Sequence, residues 1–177
     1  MKKYNVGIIG ATGMVGQRFA TLLENHPWFT VSALAASSRS AGKKYEDAVA
    51  GRWAMDTPIP ESMKDMVLFD AVEDKEKVAE KCDFVFCAVD MKKDEILKLE
   101  EDYAKLECPV VSNNSANRKT PDVPMVVPEL NADHIEIINA QRKRLGTKKG
   151  FIAVKSNCSL QSYVPALVPL EKYCPEK

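Results

Sequence analysis

Residues Tyr4 to Gly16, YNVGIIGATGMVG, constrain this chain more than any other stretch, because they join an apolar run, a glycine-punctuated turn and the start of an amphipathic segment. Val6, Ile8 and Ile9 have the character of a buried strand, and Gly10, Gly13 and Gly16 then fall every third residue. Each glycine has a separate use. The first suits a tight turn with positive φ, the second lets the backbone approach a pyrophosphate, and the third lets the helix pack close to the strand. The free N–H groups of the first helical turn would then face the phosphates. The spacing G-x-x-G-x-x-G departs from the commoner G-x-G-x-x-G, so the reading as a nucleotide-binding turn rests on its context between a strand and a helix.

Val15, Phe19, Leu22 and Leu23 recur at helical spacing, which predicts a helix laying one stripe on a sheet until Pro27. Thr30 to Ala36 then reads as the second strand of a βαβ unit. At its end, where an Asp or Glu would hold the ribose 2′-hydroxyl of NAD, the chain runs Ser37-Ser38-Arg39-Ser40-Ala41-Gly42-Lys43. Hydroxyls and cations there suit a 2′-phosphate. The expected cofactor is therefore NADP.

Tyr45 to Met66 carries Gly51, Trp53, Pro58 and Pro60 and reads as an irregular excursion. Val67 to Phe69 suits a short strand and Asp74 to Lys81 a charged helix. Phe84 to Val89 is a buried strand, followed by a helix from Lys93 to Leu106 with Ile96, Leu99, Tyr103 and Leu106 on one face; Pro109 to Ser112 is another strand. This alternation predicts an α/β fold with a doubly wound, mostly parallel Rossmann-type sheet covered on both faces. Ligands of such sheets sit beyond the carboxyl ends of the strands, so Gly10 to Gly16, Ser37 to Lys43 and Cys87 to Asp90 should gather on one edge.

Asn113-Asn114-Ser115-Ala116-Asn117-Arg118 offers amides, a hydroxyl and a guanidinium, which serve equally as an oxyanion site or as plain turn formers. Gly150 to Lys155 reads as the last strand. It leads through Ser156 and Asn157 to Cys158, after which Leu160, Val164, Leu167 and Val168 have helical spacing, with Pro165 and Pro169 expected to kink the helix or delay its regular part. Helix N-terminal N–H groups stabilise a thiolate, so Cys158 stands open between a nucleophile and an inert thiol. Cys82, Cys87, Cys108 and Cys174 read as core residues.

With 25 basic and 25 acidic residues, the 177-residue chain has no net field to draw nucleic acid or an anionic membrane, and Arg142 to Lys149 reads as a solvated basic loop. No apolar run reaches spanning length and no export signal precedes the first strand, so a cytoplasmic protein is expected. Five cysteines without paired spacings and two distant histidines, His26 and His134, disfavour disulfides and a metal site.

The segments GIIGATGMVGQRF, SSRSAGK, VVSNNSANR, VVPELN and GFIAVKSNCS, in this order from residue 4 to about 160, resemble the aspartate-β-semialdehyde dehydrogenase family. The resemblance implies NADP-dependent reductive dephosphorylation of β-aspartyl phosphate to aspartate semialdehyde, a step toward lysine, threonine and methionine. Cys158 would attack the acyl carbon and expel phosphate to give a thioester, which NADPH would reduce to the aldehyde. Arg118 with Asn114 would hold the phosphate group, and Thr12, Gly13, Met14 and Val15 the cofactor pyrophosphate. Ser37, Ser38, Arg39 and Ser40 would take the 2′-phosphate, the turn from Cys87 would lie along the cofactor, and Gln161 is a weaker candidate. N-acetyl-glutamyl-phosphate reductases share the architecture but place glycine before the nucleophile, where this chain has Asn157; malonyl-CoA reductases remain an alternative.

Family members continue for roughly as many residues again, through a second domain that supplies a catalytic histidine and the main dimer surface. The resemblance thus divides the chain into a cofactor domain, 1–157, and the first helix of a catalytic domain, 158–177. It implies a homo-oligomer at full length and an isolated chain that is inactive, or a nucleotide-binding module without chemistry.

Overall fold

In the computed structural model, which describes residues 2–171 and 173, strand β1 (Tyr4–Ile9) runs into helix α1 (Met14–Leu23) and β2 (Phe29–Ala36) returns parallel to β1. Val6, Ile8 and Ile9 are fully buried, as a central strand covered on both faces requires. Helix α1 turns a different face to the sheet from the one its apolar spacing predicts. Gly16, Gln17, Ala20 and Leu23 point inward while Val15 and Leu22 are exposed. The cause is Gly16, which lies so close to the Gly10 carbonyl that a Cβ would come within 2.1 Å of its oxygen, so the small residues take the sheet side. Phe19 is left half-buried, stacked on Phe86 at 4.8 Å.

The segment expected to be an irregular excursion is part of the framework. It contains helix α2 (Tyr45–Val49), and Tyr45, Val49 and Met63 are buried, the Tyr45 hydroxyl donating to the Ala11 carbonyl at 2.9 Å. Strand β3 (Phe69–Asp70) pairs with the end of β2, whereas Val67 bridges Lys44 in antiparallel fashion. Next come α3 (Lys75–Lys81), β4 (Phe84–Cys87), α4 (Lys93–Lys105) and β5 (Val110–Ser112). On α4, Ile96, Leu99 and Tyr103 are buried, and Leu106 lies past its end, exposed.

After a 3₁₀ turn at Ala116–Lys119, the stretch that carries Pro121, Pro124 and Pro128 yields a short strand, β6 (Met125–Val126), and α5 (Pro128–Asn131), followed by α6 (Ile138–Leu145), β7 (Ile152–Lys155) and α7 (Cys158–Leu167). Helix α7 continues through Pro165 and passes into a 3₁₀ turn at Val168–Leu170 around Pro169; none of its residues is buried. Cys174 lies outside the described residues.

The sheet order is β3-β2-β1-β4-β5-β7-β6, every neighbouring pair parallel, with an apolar layer on each face. Val6, Ile8, Leu34 and Tyr45 belong to one layer, and Val85, Leu99, Tyr103 and Ile152 to the other. The order turns back between β1 and β4, which opens a crevice at the carboxyl edge. Pairing aligns Ala35, Ile9, Cys87, Ser112 and Val154 in one row across that edge. Among the described residues no helix is long and apolar enough to cross a membrane.

Candidate active site

A cleft of about 540 Å³ opens beyond that row. Gly10, Thr12 and Gly13 line one side, Ala36 to Arg39 with Arg52 another, and Asp70 to Glu73 and Ala88 to Met91 complete it. The three stretches expected on one edge do meet there. Gly10 has φ +89°, and its N–H and that of Ala11 both donate to the Ala35 carbonyl, which fixes the turn against β2. The first helical bond runs from Gln17 N to the Gly13 carbonyl at 2.8 Å, so the N–H groups of Met14, Val15 and Gly16 precede the ladder. None of these three residues lines the cleft: Met14 and Val15 are exposed and Gly16 is buried against Gly10.

Gly13 tests whether this turn fits a dinucleotide. A Cβ there would come no closer than 3.5 Å to its nearest neighbour, the Gly10 oxygen, so the fold itself tolerates a side chain. The bare backbone facing the cleft leaves room for a phosphate at the helix start.

Ser37 and Arg39 also line a side pocket of about 280 Å³ with Ser40, Lys43, Asp47 and Arg52. Three cations there meet one carboxylate. Arg52, from the segment read as irregular, carries no sequence signal; its Nη2 donates to the Ser40 hydroxyl at 3.2 Å and to the Ala48 carbonyl at 2.6 Å. Gln17, on the buried face of α1, donates through Nε2 to the carbonyls of Thr12 and Arg52 and accepts from the Ala54 N–H.

Cys87 lies beneath the cleft and does not line it; Ala88 to Met91 form that wall. Burial, with the Glu100 carboxylate beside it, pushes its thiol well above the usual range. Glu100 is the buried anchor of the next loop. It accepts from the Ser112 hydroxyl, from Asn114 Nδ2 at 3.3 Å and from Asn117 Nδ2 at 2.7 Å. Asn114, expected to hold a phosphate, spends its amide donor inward on Glu100 and Cys87, and its N–H on the Ser112 hydroxyl.

Arg118 ends that loop. Its Nε donates to the Lys155 carbonyl at 3.1 Å and its Nη2 to the Asn113 carbonyl at 3.3 Å, tying the ends of β5 and β7 together. Three residues past Lys155, Cys158 opens α7 behind the cap Asn157, whose Oδ1 accepts from the Ser159 N–H at 2.9 Å. The Cys158 thiol is exposed and makes one weak contact, to Asn157 Oδ1 at 3.9 Å. The other described cysteines are buried. Burial raises the thiols of Cys82 and Cys108, the latter to about 12. Gln161 accepts from Lys155 Nζ at 3.2 Å. His26 stacks on Phe29 at 4.6 Å and His134 meets the Met125 carbonyl, so neither is paired with Cys158. No metal-holding group of three or more His, Cys, Asp or Glu occurs among the described residues.

Comparison with known proteins matches residues 5–138 to the family model of the semialdehyde dehydrogenase NAD binding domain. The chain is 43% identical to an aspartate-semialdehyde dehydrogenase of Aspergillus fumigatus, covering 96% of this chain and 45% of that one. It is 42% identical to that of Methanothermobacter thermautotrophicus, over 94% of this chain and 45% of that one. The crystal structure of the Candida albicans enzyme with NADP superposes with a TM-score of 0.84 at 40% identity, covering 97% of this chain and 48% of that chain. The chain thus spans about half the length of the relatives it matches.

Proposed function

This chain belongs to the semialdehyde dehydrogenase family through its NAD-binding domain, and from that premise we propose that it carries the NADP cleft and the nucleophile of an aspartate-semialdehyde dehydrogenase. The observation that carries the reading is the placement of Cys158. An exposed thiol opens a helix directly after the strand whose last residue, Lys155, is bonded to Arg118. The similarity to the Candida albicans enzyme with NADP, and the cationic pocket in place of an acidic residue after β2, support NADP over NAD.

Cys158 Sγ attacks the acyl carbon of β-aspartyl phosphate as a thiolate; the C–S bond forms, the C–O bond to phosphate breaks, and phosphate leaves against the Arg118 guanidinium. NADPH, which Gly10, Thr12, Gly13, Ser37, Ser38 and Arg39 would hold in the cleft, would supply the hydride that reduces the thioester. The resulting thiohemiacetal oxyanion re-forms its carbonyl as the C–S bond breaks, releasing the aldehyde and returning the thiolate to Cys158. Asn157 holds the helix start, and Glu100 holds the loop that delivers Arg118. We place the border between the cofactor domain and a catalytic segment at 157/158. Free thiols at Cys82, Cys87, Cys108 and Cys158 fit a reducing, cytoplasmic setting.

A second reading, dinucleotide binding without turnover by this chain alone, is favoured by α7, which buries no residue and offers Cys158 no histidine. The test is NADP reduction by the purified chain with aspartate semialdehyde and inorganic phosphate, alongside calorimetric NADPH binding. Phosphate-dependent NADPH formation lost in Cys158→Ala supports the enzyme; binding without turnover supports the module; an absence of binding sinks both.

A further inference from the structure

The side pocket beside the main cleft takes part of its wall from outside the loop that follows β2. Ser37, Arg39 and Arg52 line both cavities, so these three stand at the mouth where one opens into the other. The side chains of Arg39 and Lys43 make no hydrogen bond or ion pair with any described residue, whereas the Arg52 side chain is held in place. Its Nε and Nη2 donate to the Ala48 carbonyl at 2.8 and 2.6 Å, its Nη2 reaches Ser40 Oγ at 3.2 Å, and its own carbonyl accepts from Gln17 at 3.1 Å. Those bonds use one edge of the guanidinium. The two N–H groups of Nη1 have no acceptor among the described residues.

We infer that Arg52 is a specificity-determining residue for the phosphorylated dinucleotide, supplying from the far side of the pocket a pre-positioned fork that receives the 2′-phosphate against Arg39 and Lys43. The inference rests on the NADP reading above and adds to it a residue that the loop after β2 does not contain. Asp47 is the one carboxylate in the pocket, so a dianionic phosphate meets a net cationic site, and neutral hydroxyl groups gain nothing comparable from it. Because Arg52 is already bonded to Ala48 and Ser40, little of its rotamer freedom is left to lose on binding. An Arg52 that merely braced α2 would affect NADPH and NADH alike.

The test is isothermal titration calorimetry of NADPH and of NADH on the 177-residue chain, wild type against Arg52→Ala and Arg52→Gln. The glutamine variant keeps an amide donor for Ala48 and Ser40 while removing the charge. The expected result is a loss of NADPH affinity of roughly ten- to a hundredfold in both variants, with NADH affinity within about twofold of wild type. Equal losses for the two nucleotides, or an unchanged NADPH affinity in a folded variant, overturn the inference. A wild-type chain with no preference for NADPH over NADH overturns the NADP reading itself, and this assignment with it.

Discussion

The buried side-chain amide of Gln17 donates a hydrogen bond to the Arg52 carbonyl at 3.1 Å, so a residue of the first helix holds the segment that walls the side pocket. The same amide holds the Thr12 carbonyl at 3.0 Å and accepts from the Ala54 N–H at 2.8 Å. Gln17→Leu keeps the volume and strands three main-chain groups. It is expected to lower stability by about 2–3 kcal/mol in urea melts and to weaken NADPH and NADH together, unlike the Arg52 variants.

Two glycines of one turn should respond in opposite ways. Gly16→Ala drives a methyl to 2.1 Å from the Gly10 oxygen and 2.7 Å from the Ala11 Cα, with backbone on every side. It is expected to cost more than about 3 kcal/mol or to abolish soluble expression. Gly13→Ala meets nothing closer than 3.5 Å, so its melting curve should stay near wild type while dinucleotide affinity falls in calorimetry.

Thiol chemistry should single out Cys158. It is exposed, whereas Cys82, Cys87 and Cys108 are buried and their thiols are raised by burial. Brief iodoacetamide treatment of the native chain, read by peptide mass mapping, should label Cys158 well before those three. Equal labelling of Cys87 would contradict the closed floor of the cleft.

Glu107 gives a pH signature. The N–H groups of Lys148, Gly150 and Lys149 converge on its carboxylate and hold its pKa below the ordinary carboxylate value. A lowered folded pKa contributes stability that is present above the unfolded value and lost as pH falls through the folded one. The stability difference between wild type and Glu107→Gln should therefore be widest near neutrality and shrink below about pH 4. A difference that grew on acidification would contradict the geometry.

The strands were legible because a sheet buried on both faces leaves plain apolar runs, and the glycine turn because close backbone approaches at Gly10 and Gly16 exclude a side chain. The inward face of α1 was not, since Gly16 and Ala20 carry little hydrophobic signal while exposed Val15 and Leu22 carry much. Glu100 was within reach: it falls between Leu99 and Tyr103 on the face that Ile96 begins, where a carboxylate must find buried donors. Nothing local marks Arg52, because its place follows from a fold of Tyr45 to Met66 in which Tyr45 and Met63 are anchored in the core at a distance in sequence. The inward amide of Asn114 was equally hidden, since only the packed loop reveals which groups its donors meet.

The row that joins Cys87, Ser112 and Val154 across β4, β5 and β7 acts as a ruler. The cleft wall at Ala88 leaves the first of these strands and the thiol at Cys158 follows the last, so their bases stand two strand spacings apart, about 10 Å. Hydrogen bonding between neighbours sets that length in whole steps. The gap between the cleft wall and the thiol can thus be trimmed by the two short connections alone, and a chain that gained or lost a strand between them would shift it by nearly 5 Å.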